Sequence, residues 1–240
     1  MENAVETLVI HKAESRGHAQ HGWLDTYHTF SFANYHAPDR VHFGALRELN
    51  DDRIAAGQGF GTHPHDNMEI VTIPLTGAVE HRDTTGGHGI IRVGDVQIMS
   101  AGSGLAHSEF NASKTEPLTL LQIWVFPKHR NIQPRYDQKT FDRKDRKNKL
   151  QLVVTPDGAD GSLTTDQDTW FSLGSFEKGF ETDYLAKGEN SYGVYAFLID
   201  GSVTINDQQM SRRDGIGFVH TDKLHIKANE TSELLLIEVP

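Results

Sequence analysis

An internal repeat constrains the fold of this 240-residue chain more than any other feature of its sequence. Residues 75–79 (LTGAV) recur in pattern as residues 199–203 (IDGSV): an apolar strand, a glycine turn and a second strand. In each half an Asp beside a Gly then introduces a further apolar strand, at residues 94–99 (GDVQIM) and 214–219 (DGIGFV). A duplicated barrel explains this repeat better than one continuous sandwich does.

Short apolar runs, several of them β-branched, supply the predicted strands. Gly, Asp or Pro bounds these runs, and no long stretch shows the 3.6-residue period of a helix. Clear examples are residues 69–75 (EIVTIPL), 121–126 (LQIWVF), 150–154 (LQLVV) and 234–239 (LLLIEV). The sequence therefore predicts an all-β protein made of two tandem β-barrels.

A basic segment suggests where one barrel ends and the next begins. Residues 127–150 contain nine Lys or Arg against three Asp, which favours a solvated linker over a docking patch for an acidic partner. We predict an N-terminal barrel over residues 1–130, a basic linker over 131–149 and a C-terminal barrel over 150–240.

The overall charge and the absent cysteines exclude several classes of protein. A formal net charge of −10 argues against a nucleic-acid-binding or anionic-membrane surface over the whole protein. There is no cysteine, so disulfides and thiolate chemistry are excluded. The first residues show no basic segment followed by an apolar one, and no apolar run is long enough to span a membrane. We expect a cytoplasmic protein.

Histidines concentrate in the first half, where 11 of the 14 precede residue 111. His63 and His65 are two residues apart, so a strand would present both to one ion, and Glu69 could join them if the strand stayed regular. His107 and Glu109 share a strand face in the same way. Three imidazoles and one carboxylate suit Fe(II), Ni(II), Co(II), Mn(II), Cu(II) or Zn(II), with positions left for substrate and O2.

The remaining histidines lack such pairing. We interpret these as structural: His18, His21, His28, His36 and His42. His220 and His225 are an odd number of residues apart, which puts them on opposite strand faces, so the C-terminal barrel is predicted to be metal-free.

Several motifs together resemble the pirin family of the cupin superfamily, especially its bacterial members. They are residues 16–18 (RGH), 21–25 (HGWLD), 28–33 (HTFSFA), 62–65 (THPH), 97–102 (QIMSAG) and 107–109 (HSE). The resemblance implies a bicupin, in which each barrel is a double-stranded β-helix, and it covers the whole chain, most densely from residue 9 to 126. It implies metal ligands at His63, His65, His107 and Glu109. General cupins would use Glu69 instead, which we place near the ligands.

The resemblance also implies an activity, because bacterial pirin-like proteins are similar to flavonol (quercetin) 2,4-dioxygenases. Such a quercetinase would use one divalent metal, iron or another of these ions, with a flavonol and O2 as substrates, and release CO. Glu109 or Glu69 would take the hydroxyl proton. Aromatic and Met side chains can line the pocket, although each alone is more often core: Phe30, Phe32, Phe43, Phe60 and Met68.

Two other classes fit the same residues. One is a metal-dependent regulatory protein that acts through a protein partner, and the other is a cupin enzyme of a different reaction type, such as an isomerase. Aerobic incubation of the metal-loaded protein with quercetin discriminates among them.

Overall fold

The structure, a computed structural model, describes residues 7–188 and 192–240. Within these ranges there is no α-helix, and three 3-10 helices occur at Ala13–Ser15, Arg143–Arg146 and Ala159–Gly161. No helix there is long and apolar enough to cross a membrane. Residues 1–6, where we expect no secretory signal, lie outside the described residues.

The strands in chain order are β1 (Thr7–His11), β2 (Gly17–Gln20), β3 (Leu24–His28), β4 (Leu46–Ile54), β5 (Gly59–His65), β6 (Glu69–Thr76), β7 (Ala78–Asp83), β8 (His88–Arg92), β9 (Asp95–Ser100), β10 (Leu105–Asn111), β11 (Leu118–Val125), β12 (Arg135–Thr140), β13 (Leu150–Thr155), β14 (Leu163–Thr164), β15 (Trp170–Phe176), β16 (Glu181–Leu185), β17 (Gly193–Asp200), β18 (Ser202–Ile205), β19 (Gln208–Ser211), β20 (Gly215–Val219), β21 (Lys223–Ala228) and β22 (Ser232–Val239).

Two compact units are interleaved along the described chain. The N-terminal unit contains residues 17–141 and 163–167, and the C-terminal unit contains residues 7–16, 142–162, 168–188 and 192–240. Antiparallel strands build both units, so the predicted all-β fold is confirmed.

This division differs from the contiguous boundaries that we predicted. Residues 163–167 of the predicted C-terminal barrel belong to the N-terminal unit, and residues 142–149 of the predicted linker belong to the C-terminal unit. Strand β1 belongs to the C-terminal unit, where it pairs with β20. Strand β12 lies inside the 131–149 segment and pairs with β9 in the N-terminal unit. Its inward polar residues explain why a charged segment is ordered, since Gln138 donates to Asp95 at 3.1 Å. Strand β12 is also at the edge of its sheet, so one of its sides has no neighbouring strand and is left for its charged side chains.

The two units share a strand plan. In the N-terminal unit a four-stranded sheet has the order β5-β10-β7-β8, and a larger sheet has the order β12-β9-β6-β11-β4-β3-β2. Among the strands of the C-terminal unit the corresponding orders are β16-β21-β18-β19 and β1-β20-β17-β22-β15-β13. The duplication predicted from the sequence is therefore present in the four-stranded sheets and in the central strands of the larger ones, where β9, β6, β11 and β4 correspond to β20, β17, β22 and β15.

The repeated glycine turn occupies equivalent places in both units. Gly77 connects β6 to β7 and Gly201 connects β17 to β18, with φ angles of 74° and 88°. Glycine adopts this left-handed conformation without the steric cost that a Cβ brings. At Gly201 a Cβ would also lie 2.3 Å from the backbone oxygen of Thr231. The motif is therefore repeated because both hairpins require the same backbone.

The interiors of the two units differ. The C-terminal unit holds one apolar cluster of fifteen buried side chains, to which β17, β18, β20, β21 and β22 all contribute. Two clusters among the described residues of the N-terminal unit are smaller, with six and four buried side chains. Buried polar and charged side chains share its interior, and these form the candidate site.

Candidate metal centre

Three histidines converge between neighbouring strands of the four-stranded sheet of the N-terminal unit. His63 and His65 share one face of β5, and His107 on β10 is the direct cross-strand partner of His63. Ring centroids are 4.5 Å apart for His63 and His107, and 4.9 Å apart for each of the other two pairs. One nitrogen from each ring lies within 4.8 Å of the other two. Strand alternation and register thus bring together the three residues that the sequence singled out.

The environment favours the unprotonated form of His65 and His107. Burial lowers the pKa of His107 to about 2 and that of His65 to about 4, with smaller contributions from the neighbouring histidines. His63 donates from Nδ1 to the carbonyl oxygen of Gly61 at 2.8 Å, which leaves its Nε2 lone pair available. A hydrogen bond on the outer nitrogen commonly sets the tautomer of a metal-binding histidine in this way.

The donor set fits a divalent transition metal. His107 is 2 % exposed, and neither of its ring nitrogens has a hydrogen-bond partner in the described chain. Buried nitrogens without a partner are costly unless something else binds them. Neutral imidazoles are ligands that suit first-row divalent ions. The triad therefore has both the chemistry and the unmet bonding capacity of a metal site.

Glu109 lies on the same face of β10 as His107 and lines the same cavity as the triad. Gln122 Nε2 donates to its Oε2 at 2.7 Å, and the Thr72 hydroxyl lies 3.2 Å from its Oε1. Burial raises the pKa of this carboxyl to about 7, further raised by Asp52 and opposed by these hydrogen bonds. One carboxylate oxygen of Glu109 lies within 4.8 Å of a ring nitrogen of His107 and of a ring nitrogen of His81.

The Thr72 hydroxyl allows Glu109 to hold either protonation state. That hydroxyl is also 2.9 Å from Oε1 of Gln122, so its single hydrogen can serve one of the two acceptors. An ionised Glu109 accepts this hydrogen. A protonated Glu109 donates to the hydroxyl oxygen instead, and Thr72 then donates to Gln122.

Glu69 is not brought to the triad. The chain turns between β5 and β6 at Asn67, whose φ of 47° ends the regular strand, and β6 belongs to the other sheet. The Glu69 carboxylate accepts instead from Ser100 at 2.8 Å and Thr165 at 3.0 Å. Glu69 could join His63 and His65 at one ion only if the strand continued regularly through residue 69, and it does not.

Sequence reasoning missed a row of polar side chains on β4. Glu48, Asn50 and Asp52 alternate along this strand, are nearly fully buried, and line the cavity of the triad. Asn50 donates to Glu48 at 2.5 Å. Burial raises the pKa of Glu48 well above its ordinary value and that of Asp52 to about 7. Their two-residue spacing was the available signal, since it puts the three on one strand face with Leu46 and Ile54 at its ends.

His81 was also missed. It lies on β7 opposite Glu109, is 0 % exposed, and its ring centroid is 5.2 Å from that of His107. Its Nε2 is 3.0 Å from Asp83 Oδ2. Burial lowers the pKa of His81, partly offset by Asp83. The His-x-Asp spacing on one strand resembles that of the His63–His65 pair and was the signal that could have found it.

Two cavities with shared lining residues lie at the site, and the smaller one adjoins the triad. The first, of about 170 Å³, is bounded by the triad, Glu109 and Trp124. The second, of about 460 Å³, extends toward β2 and β3. Four residues line both: Phe32, Asn50, Asp52 and Phe60.

The other aromatic candidates have core positions. Phe30 is 1 % exposed and Phe43 is 7 % exposed, and neither lines these two cavities. Met68 packs against the apolar cluster that includes Ile70 and Met99. Of the five side chains suggested for an apolar pocket, Phe32 and Phe60 are at the site.

The histidines interpreted as structural have protein partners where their contacts are described. His28 is hydrogen-bonded through Nδ1 to Asn50 Oδ1 at 2.8 Å, and His18 is 2.6 Å from Asp25. In the C-terminal unit, His225 is 2.9 Å from Asp183 on the neighbouring strand. His220 adopts a φ of 60° in the turn before β21.

Comparisons with known proteins agree with this geometry. The family described as Pirin matches residues 9–125, and the family described as Quercetinase C-terminal cupin domain matches residues 152–239. A quercetin 2,3-dioxygenase of Escherichia coli K12 is 46% identical over 97% of this chain and 99% of its own. A pirin-like protein of Caulobacter vibrioides is 38% identical over 92% of this chain and 95% of its own.

A solved structure of a similar protein contains a metal ion. A bacterial pirin from Escherichia coli in complex with nickel(II) superposes with a TM-score of 0.92 at 44% identity, covering 98% of this chain and 99% of that one. The triad and this nickel complex both point to a divalent metal. With matches to both halves and full-length identity well above 30%, the chain belongs to the pirin family and is a bicupin.

Proposed function

We propose that this protein is a metal-dependent quercetinase, a flavonol 2,4-dioxygenase that opens the heterocycle with O2 and releases CO. The observation that carries the proposal is the triad of His63, His65 and His107, which lines a cavity and in which the buried His107 has no hydrogen-bond partner for either ring nitrogen in the described chain. The full-length similarity to a protein named quercetin 2,3-dioxygenase supports the choice of substrate.

In this proposal the three histidines and Glu109 hold one divalent cation. The assignment of Glu109 as fourth ligand rests on its place in the cavity and on the family pattern. The donor set accommodates iron as well as nickel, cobalt, manganese, copper or zinc. A bound cation supplies Lewis acidity, which lowers the pKa of a flavonol hydroxyl.

Glu109 is then the group that accepts the hydroxyl proton, at Oε1. Thr72 and Gln122 hold the carboxyl in place and adjust their hydrogen bonds to its new state. Glu69 is engaged by Ser100 and Thr165 away from the cavity, so we assign it no part in proton transfer.

The cavities favour a planar, hydroxylated aromatic substrate. The space at the triad, about 170 Å³, is below the range of roughly 300–1,000 Å³ that usual ligand pockets occupy. The adjoining space of about 460 Å³ provides the remaining room. Phe32, Phe60 and Trp124 offer aromatic faces, while Asn50 and Asp52 offer polar groups to substrate hydroxyls.

The stoichiometry balances without another reactant. One flavonol and one O2 give one depside and one CO, with C3 of the heterocycle leaving as CO and the oxygen atoms retained at C2 and C4. This outcome is the reason for naming the reaction a 2,4-dioxygenation, although the relative is named for carbons 2 and 3.

The test is aerobic incubation of metal-loaded protein with quercetin, following flavonol absorbance and CO release together. We expect both signals in the parent protein and in His225→Ala, a control at a half-exposed histidine of the C-terminal unit. His107→Ala should show neither signal. Parent protein that is fully metal-loaded yet gives no CO would contradict the proposal and favour the regulatory, partner-binding alternative. A cytoplasmic location stays a prediction.

A further inference from the structure

His81 and Asp83 form a buried pair that the proposed reaction does not use. In the register between β7 and β10, His81 lies opposite Glu109 and Asp83 lies opposite His107. Both side chains of the pair are 0 % exposed. Tyr136 packs against the His81 ring, with centroids 4.6 Å apart. The pair is therefore enclosed next to the triad rather than facing solvent.

Asp83 is held in a fixed orientation by the turn that follows it. Its Oδ1 accepts from the backbone N–H of Thr85 at 2.8 Å, from the Thr85 hydroxyl at 2.6 Å and from the backbone N–H of Gly87 at 3.0 Å. A Cβ at Gly87 would lie 2.2 Å from Asp83 Oδ2, so glycine permits this close approach. The other oxygen, Oδ2, remains for His81.

This arrangement determines which nitrogen of His81 carries the hydrogen. Nε2 is 3.0 Å from Asp83 Oδ2, and a carboxylate accepts, so Nε2 is the donor. Nδ1 of the neutral ring is then an acceptor. It is buried and has no hydrogen-bond partner in the described chain. A fixed, unused acceptor thus lies beside the metal centre.

His107 is a donor that lacks an acceptor. A neutral histidine that binds a metal through one nitrogen carries a hydrogen on the other, and that N–H usually donates to a nearby acceptor. Neither nitrogen of His107 has a hydrogen-bond partner in the part of the chain described. Donor atoms of His81, His107 and Glu109 lie within 4.8 Å of one another, which suits a direct contact after small adjustment or one bridging water.

We propose that His81 is a positioning residue for the metal centre: anchored by Asp83, it accepts from the outer N–H of His107. The contact fixes the rotation of the His107 ring and keeps its other nitrogen free for the ion. The inference rests on the proposed metal role of the triad. It gives His81 a role in orienting a metal ligand, without contact to the substrate or the ion.

The test measures metal affinity by competition with a chelator on His81→Leu, which removes the acceptor and keeps a buried side chain. We expect Co(II) or Ni(II) to bind about 10–100-fold more weakly, as is typical when the partner of a ligand histidine is lost. The visible spectrum of the Co(II)-loaded variant should change as well, because the His107 ring is no longer held in one orientation.

Matched variants separate positioning from general damage. His81→Asn keeps an acceptor close to the place of Nδ1 and should recover part of the lost affinity. His88→Leu, at an exposed histidine on the adjacent strand β8, should bind metal like the parent. Circular dichroism of the metal-free proteins checks folding, and if His81→Leu does not fold, His81→Asn and Asp83→Asn provide the comparison, each with a smaller loss than expected for Leu.

Parent-like affinity and an unchanged Co(II) spectrum in folded His81→Leu would overturn the proposal. Two ions per parent chain, with one lost in His81→Leu, would also overturn it, in favour of a second metal site formed by His81, His107 and Glu109. His63→Ala distinguishes the underlying claim, because metal retained in that variant would contradict the triad itself and not only the role of His81.

Discussion

Strands β10 and β21 have the same place in two sheets of the same strand order, yet they present different chemistry. On β10 the inward residues include His107 and Glu109. On β21 the buried positions are Leu224, Ile226 and Ala228, alternating with exposed Lys and His. The strand plan is thus independent of the chemistry that it carries, and function depends on which side chains point inward.

The neighbouring strands repeat this contrast. Opposite His107 on β10 stands His63, whereas opposite Leu224 on β21 stands Tyr184. The third strand of the four-stranded sheet is β7 in the N-terminal unit and β18 in the C-terminal unit. Strand β7 has a buried His81, whereas β18 has a buried Val203 and Ile205. One unit fills its interior with close-packed apolar side chains, and the other keeps unpaired polar atoms and a cavity there. Apolar packing stabilises, whereas buried polar atoms without partners cost free energy that a ligand can recover.

The largest expected effect follows from removing a proposed metal ligand from the N-terminal unit. His107→Ala should weaken metal binding by more than about 100-fold, beyond the 10–100-fold typical of groups that only support a ligand. Chelator competition on purified protein measures it. Parent-like affinity in a folded His107→Ala protein would contradict the claim that the interior of the N-terminal unit binds the metal through His107.

The matching change in the C-terminal unit should affect stability instead. Leu224→Ala removes a side chain that is 0 % exposed within the apolar cluster, and changes of this kind cost about 2–5 kcal/mol. Urea unfolding should report the loss, while metal affinity per folded chain stays at the parent value. A large loss of affinity in the folded variant would mean that the two interiors are not separate in function.

The two carboxylates sharpen the comparison further. Glu109→Ala should weaken metal binding on the order of 100-fold, whereas Glu69→Ala should largely retain the metal, since hydrogen bonds hold Glu69 away from the cavity. The same chelator competition applies, with circular dichroism to verify folding. Metal retained in Glu109→Ala but lost in Glu69→Ala would return the site to the general cupin pattern.

The last contrast concerns the pH dependence of the metal-free protein. Burial raises the pKa of Asp52 from about 3.8 to about 7, so the folded state binds a proton that the unfolded state has already lost between these values. Asp52 therefore destabilises the fold increasingly as pH rises from about 4 to 7. Relative to the parent, Asp52→Asn should gain at most about 1.4 kcal/mol per pH unit across this window.

Urea unfolding of chelator-treated parent and Asp52→Asn proteins from pH 4 to 8 checks this slope. A difference that does not grow with pH would mean that Asp52 is ionised in the folded state at little cost. The comparison between the two interiors would then lose its electrostatic part, although the triad would be unaffected.

The sequence was sufficient where a short-range rule governs the structure. Two-residue spacing on strands put His63 beside His65 and His107 beside Glu109, and the repeated glycine turns revealed the duplication. It was insufficient where long-range pairing decides. The turn at Asn67 sends Glu69 into the other sheet, and only the register of β7 against β10 brings His81 to Glu109.

Domain boundaries show the same limit. The basic composition of residues 131–149 indicated exposure, but β12 within it pairs with β9, a partner distant in sequence. Charge content predicts how much of a strand faces solvent, and it does not predict which sheet edge the strand joins.

The most direct measurement of the central claim is the metal content per chain, obtained by elemental analysis of purified protein and of His63→Ala. The account predicts one divalent ion per parent chain and none in the variant, because the ligands lie in the N-terminal unit and the equivalent interior of the C-terminal unit is apolar. Two ions per parent chain, or one ion retained in His63→Ala, would contradict it.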